Sequence, residues 1–246
     1  MNLISGLTPT PTPTTTPDPK LSWAEAEEDV VKEATRILSV KLANTMNAKH
    51  PSWKLSQDEA FLAVYKNTVL FTKTGRYCSE ATPASKCWAK TYFEGNTTHN
   101  IHVFRDAEIR DSVSESSYHW TVHELGHAFI DAVGKESTDP TNPIKILETA
   151  IKENKHLGRP PEGSLWGFAG SFSAWQNSTV DSAAEVFADM YTGWVYNKWE
   201  VKIDENDNPV TDGNGNPVLT TDGQNRASFM NKHMSDWIEV AIKNEN

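Results

Sequence analysis

Cysteine is scarce in this 246-residue sequence: only Cys78 and Cys87 occur. Two thiols nine positions apart exclude a disulfide-built scaffold and do not suit a zinc knuckle, which needs closer pairs. One small disulfide-closed loop is the expectation, with two free thiols as the alternative. Long apolar runs are missing too. Nothing is hydrophobic over the roughly 20 residues that a bilayer-spanning helix requires, so no transmembrane segment is expected. Met1–Leu7 lacks the basic region and apolar stretch of a signal peptide. On that reading the chain is either cytoplasmic or begins downstream of a removed export segment, and the expected disulfide favours an extracytoplasmic or secreted protein. Positive charge is in deficit, with 23 Lys and Arg against 33 Asp and Glu and a formal charge of −10. That balance disfavours nucleic acid and anionic membranes as partners.

Packing residues are absent from positions 8–19, where Thr and Pro alternate. Such a stretch gives an extended, solvated spacer. Residues 1–20 are therefore expected to form a disordered linker and residues 21–246 one folded domain.

The informative stretch is His123-Glu124-Leu125-Gly126-His127, an HExxH motif. Two histidines four apart on a helix project from one face, a turn apart, so both imidazoles can reach one metal ion. Glu124 stands beside them, where a carboxylate can act as base on a metal-held water. The surroundings support a helix. Ser112 and Glu115 have the spacing of a capping box, and Gly134-Lys135 suits a C-terminal stop. Tyr118, Trp120, Val122, Leu125, Ala128, Phe129 and Ala132 make it apolar around most of its surface, so it is expected to be buried. Gly126 weakens such a helix by about 1 kcal/mol relative to Ala, which points to close approach of another backbone.

Around this helix, apolar residues from Trp23 to Met46 recur at three and four, predicting a long amphipathic helix over 22–46. Ser56 and Glu59 cap a short helix running to Tyr65. Strands are expected at Thr68–Thr72, Trp88–Phe93 and Asn100–Phe104, the last two forming a hairpin. An edge strand beside the motif helix could pair with an extended peptide. A helix near Ile144–Asn154, a long irregular loop over 157–178, and apolar helices over Val180–Trp199 and Arg226–Lys243 complete the order. Residues 200–223 carry two copies of an Asp-to-Val repeat, 204–210 and 212–218, and read as a protruding hairpin. The Asp-x-Asn-x-Asn runs resemble the start of calcium loops but lack the distal bidentate Glu. A solvated hairpin is the expectation and Ca2+ the minor alternative. Trp166, Trp175, Trp194, Trp199 and Trp237 are expected in the core.

A hydrolytic zinc site needs a third protein ligand. The extended form HExxHxxGxxH fails, because Ile130 and Val133 occupy its Gly and His positions. Glu185 and Asp189 lie one helical turn apart amid apolar residues, and a buried carboxylate is costly unless paired or bound to metal. If Glu185 binds the ion, Asp189 can accept the free ring N–H of a histidine ligand. Asp181, Asp189 itself, Glu148 and Glu153 are alternatives for the third ligand. HELGH followed by ExxxD resembles the gluzincin branch of the zincin metallopeptidases, the arrangement of thermolysin-like enzymes. The resemblance covers these two helices, with 57 residues between His127 and Glu185, far more than in that type. It implies His123, His127 and Glu185 as zinc ligands, Glu124 as general base and Asp189 as the group orienting a histidine.

Peptide hydrolysis also needs a donor to the developing oxyanion. Candidates for that role, or for lining the cleft, are His119, His156, Tyr191, Tyr196 and His233, while His50, His99 and His102 read as structural or exposed. The expectation is an α+β, zincin-like metallopeptidase domain. It has a small, partly antiparallel sheet, a buried HExxH helix, a mostly helical C-terminal part and one Zn2+, and it acts on a peptide or protein substrate. Two other readings stay open: a catalytically inactive zinc-stabilised binding module, and a non-peptidase metal-dependent enzyme.

Overall fold

The computed structural model describes residues 25–66, 68–73, 89–94, 98–103, 115–134, 141–154, 157, 183–206 and 208–244. The Thr/Pro-rich segment 1–20, Cys78, Cys87, Ser112, His156 and residues 158–178 lie outside them, so the expectations placed there are not addressed.

The described chain is predominantly helical with one small sheet, an α+β arrangement. Helix α1 spans Glu25–Lys49 and buries Ala34, Leu38, Leu42 and Met46, spaced four apart along one stripe. Helix α2 spans Gln57–Tyr65 and starts with the expected capping box. The Ser56 hydroxyl accepts from the Glu59 backbone N–H at 3.3 Å, and Glu59 Oε2 accepts from the Ser56 N–H at 2.8 Å. Together these satisfy two donors that a helix start otherwise leaves open.

Strands β1 (Val69–Lys73), β2 (Ala89–Glu94) and β3 (Thr98–Val103) form a sheet of order β1-β3-β2. β2 and β3 are the expected antiparallel hairpin, and β1 runs parallel to β3. In register, Phe71, Ile101 and Thr91 form one row across the three strands. Directly opposed residues share a sheet face, and Phe71 and Ile101 are buried. That face therefore lies on the protein interior.

Helix α3 (Glu115–Val133) carries the HExxH motif and packs chiefly against α5 (Ala183–Tyr196). Both are buried on nearly every side, as their apolar composition requires. The close approach expected at Gly126 is present. A Cβ there would lie 3.0 Å from the Ala188 Cα and 3.3 Å from the Tyr191 Cβ, so the two helices touch through the missing side chain. Helix α4 (Pro143–Glu153) begins at Asn142, whose Oδ1 accepts from the Ile144 and Lys145 N–H groups while its Nδ2 donates to the Gly134 carbonyl. One side chain thus caps α4 and ties it to the end of α3. Helix α6 (Thr221–Lys243) closes the chain, burying Phe229, Met230, Met234, Trp237 and Ile238. Trp194, Trp199 and Trp237 are core residues, as expected.

Between α5 and α6 the segment 200–220 departs from a simple hairpin. Its bridges are isolated, Val201 with Leu219, Ile203 with Pro209 and Thr211 with Pro217, so the chain doubles back twice. The cause is the repeat: Asp204 Oδ1 accepts from the Asn206 and Asn208 N–H groups, and Asp212 Oδ1 from those of Asn214 and Asn216. Each aspartate closes its own turn. Among the described residues no helix is long and apolar enough to cross a membrane.

Candidate metal centre

Helix α3 presents His123 and His127 one turn apart, with ring centroids 5.0 Å from each other. Glu185, in the first turn of α5, faces both. Its Oε2 lies 3.3 Å from His123 Nε2, and its Oε1 lies 3.5 Å from His127 Nε2. One donor atom from each residue falls within 4.8 Å of the other two, a group able to hold a metal ion. The chemistry of the set fits as well. Ligand bonds of about 2.0–2.2 Å in a tetrahedron put neighbouring donors about 3.3–3.5 Å apart. The two nitrogen-to-oxygen separations have that length, each to a different oxygen of the Glu185 carboxylate. All three side chains keep some solvent access.

Asp189 stands one turn after Glu185 and is buried. Its Oδ1 lies 2.8 Å from His123 Nδ1. Burial pushes the Asp189 carboxyl up to about 6, against the bond to His123 and the positive field of Arg226, a buried residue of α6. Burial also opposes charge on His123, but Asp189 and Glu185 outweigh it and hold that imidazole well above its ordinary value. Nδ1 is placed to donate its proton to Asp189. This fixes the ring with Nε2 toward Glu185. His127 is shifted the other way, downward, by burial and then by its neighbour His123.

Glu124 is buried beside these ligands, and its carboxylate is held from the sheet. The Thr91 hydroxyl on β2 donates to Glu124 Oε2 at 2.5 Å and also lies within hydrogen-bond reach, 3.3 Å, of the Glu124 backbone carbonyl oxygen. Among the described residues β2 is an edge strand, and it packs against α3.

The remaining sequence candidates divide. His119, one turn before His123, is buried with its ring edge-on to Tyr196 at 4.9 Å, and burial lowers its pKa to about 4. Tyr191, one of the candidates for an oxyanion donor or cleft residue, is instead a core residue. Its hydroxyl lies 2.9 Å from that of Tyr65, which donates to the Leu125 carbonyl, and its ring stacks on Phe129. His233 is half-buried and stacks on Trp237 with ring centroids 5.0 Å apart. Of the alternative third ligands, Glu148 and Glu153 are exposed on α4, outside the donor group, and Asp181 lies beyond the described residues. His99 is structural, buried with Nε2 2.9 Å from Asp131. Sequence reasoning missed Thr91 and Arg226. Neither belongs to a motif, and the only trace of Thr91 is a polar residue in a strand whose neighbours in the sheet are apolar.

No protein-family model matches the chain, and no curated protein matches it in sequence.

Proposed function

We propose that this protein is a zinc-dependent peptidase of the gluzincin kind, with a zincin-like catalytic domain and a peptide or protein substrate. The observation that carries the proposal is the convergence of His123, His127 and Glu185, with Asp189 bonded to the far nitrogen of His123. Bound zinc supplies Lewis-acid polarisation of a carbonyl and a water acidic enough to ionise near neutral pH. The chain's own groups do the rest. Glu124 takes a proton from the attacking water and passes it to the leaving amine. Asp189 holds His123 in one tautomer, which keeps the ligand nitrogen aimed and basic. The edge that β2 forms among the described strands, lying against α3, can add an extended peptide as a further strand, presenting its backbone to Glu124.

Two histidines and a carboxylate also suit non-haem iron, so metal identity is part of the test. Purified protein is analysed for metal content, and cleavage of a peptide library is followed before and after chelation and zinc restoration. One equivalent of zinc, with chelator-sensitive cleavage that Glu124→Gln abolishes, is expected. Zinc without cleavage indicates a binding module, and iron a different enzyme; either result overturns the proposal.

A further inference from the structure

We infer that Thr91 is the positioning residue of the general base: its hydroxyl fixes the Glu124 carboxylate against β2 and thereby sets where the base stands. The inference rests on the peptidase reading above.

The argument begins with the row across the sheet. Phe71 and Ile101 are buried apolar residues, and Thr91 occupies the third place on the same face. Valine has the shape of threonine and would continue that row. The hydroxyl that stands there instead donates to Glu124 Oε2 at 2.5 Å, the length of a bond to an ionised carboxylate. A β-branched side chain on a strand has few χ1 choices, so the donor is aimed at little entropic cost. Glutamate is the opposite case. Its three rotatable bonds leave a free carboxylate spread over many positions, and displacement by about 1 Å at a reacting centre can cost about 100-fold in rate. A single O–H donor can take one lone pair of Oε2. Oε1 stays free of Thr91, so the constraint does not use up the base.

A strand-to-helix tie with no catalytic role could have met any residue of α3, whereas this one meets the carboxylate between the two metal-ligating histidines. The two roles predict different results. Loss of the hydroxyl alone misplaces the base but spares the metal ligands and the β2 backbone. The turnover number should therefore fall while KM and zinc binding hold.

The experiment uses the zinc-loaded full chain with Thr91→Val, Thr91→Ser and Glu124→Gln. Thr91→Val is expected to lower kcat about 10- to 100-fold with KM and zinc stoichiometry unchanged, and Thr91→Ser to recover most of the loss. A second readout needs no activity. In metal-free protein, Thr91→Val should lower the denaturation midpoint more when Glu124 is present than in a Glu124→Ala background, where only the weaker contact to the residue-124 backbone carbonyl remains. Normal kcat in Thr91→Val, no recovery by serine, or equal midpoint shifts in both backgrounds overturns the inference while leaving the peptidase reading intact. Wild-type protein with no chelator-sensitive cleavage overturns the peptidase reading itself, and the catalytic role of Thr91 with it.

Discussion

Replacing Gly126 with alanine sets two effects of opposite sign against each other. In an isolated helix the change is favourable by about 1 kcal/mol, because glycine gives up more backbone freedom. Here the added methyl would sit 3.0 Å from the Ala188 Cα, 3.3 Å from the Tyr191 Cβ and 3.4 Å from the Ala188 Cβ. Carbon atoms prefer about 3.5–4.0 Å, so α3 and α5 must part by a few tenths of an ångström. The nearest obstacle is backbone, which cannot rotate away. Overpacking of this kind costs about 1–3 kcal/mol, and the balance is a net loss of about 1 kcal/mol. For a chain of this size that lowers Tm by about 2–4 °C. The separation also falls on the seam that carries His123 and His127 on one side and Glu185 on the other. Zinc affinity, measured by competition with a chromogenic chelator, should weaken about tenfold, the order found when ligand orientation is disturbed. A Gly126→Ala protein with raised Tm and unchanged zinc affinity would refute the reasoning, since alanine would then be behaving as it does on a free helix.

Glu124→Gln should keep zinc and fold while losing hydrolysis by orders of magnitude, because an amide cannot accept the proton of water; turnover measured at saturating zinc is the check. Glu185→Ala and Asp189→Ala should differ: the first largely empties the site, the second retains zinc at saturating metal with about 10–100-fold weaker binding or activity. Metal analysis of the two side by side decides, and an emptied Asp189 variant beside a loaded Glu185 variant would make Asp189 the ligand. On α6, Glu239 is held down at about pKa 2 by Lys243, Lys49 and His50, against an ordinary 4.5. A carboxyl depressed on folding adds stability above its unfolded pKa and loses it as pH falls through the folded one. Glu239→Gln should therefore cost about 1 kcal/mol at pH 7, a value discounted for solvent screening. The difference from wild type should shrink between pH 4.5 and 2, as denaturation of metal-free protein will report.

The elements whose signals are local were readable from residue order alone. Ser56 and Glu59 marked the start of α2, and the histidine spacing marked the partly accessible face of an otherwise buried α3. Glu185 and Asp189 were legible because two acids a turn apart in an apolar helix need a reason to be there. Tyr191 could have been dropped from the candidates on helical phase alone. Six residues after Glu185, at about 100° each, it points some 240° round the helix, away from the donor group and into the core. Asp189, about 40° away by the same arithmetic, shares the face of Glu185. Thr91 was illegible for a different reason. Its importance depends on β2 taking the sheet edge beside α3, which follows from β1 pairing parallel to β3. Strand order of that kind is set by contacts distant in sequence, and no local periodicity encodes it.

The doubled turn between α5 and α6 has a bearing on how this protein could be altered. Val210 N–H donates to the Lys202 carbonyl, Val218 N–H to the Val210 carbonyl and Lys202 N–H to the Val218 carbonyl, each at 2.8 Å. Three chain segments eight residues apart thus close into a ring that consumes its own donors and acceptors. Just below it the Thr220 N–H returns to the Glu200 carbonyl at 3.0 Å. Gly223 packs so tightly on that carbonyl that a Cβ would lie 2.3 Å from it. The excursion leaves and re-enters the body at one pinned doorway, so whatever hangs beyond the ring is uncoupled from the helices on either side. Cargo spliced into either tip, a fluorophore-bearing tag or a foreign epitope, can be carried without moving the scaffold that bears Glu185 and Asp189.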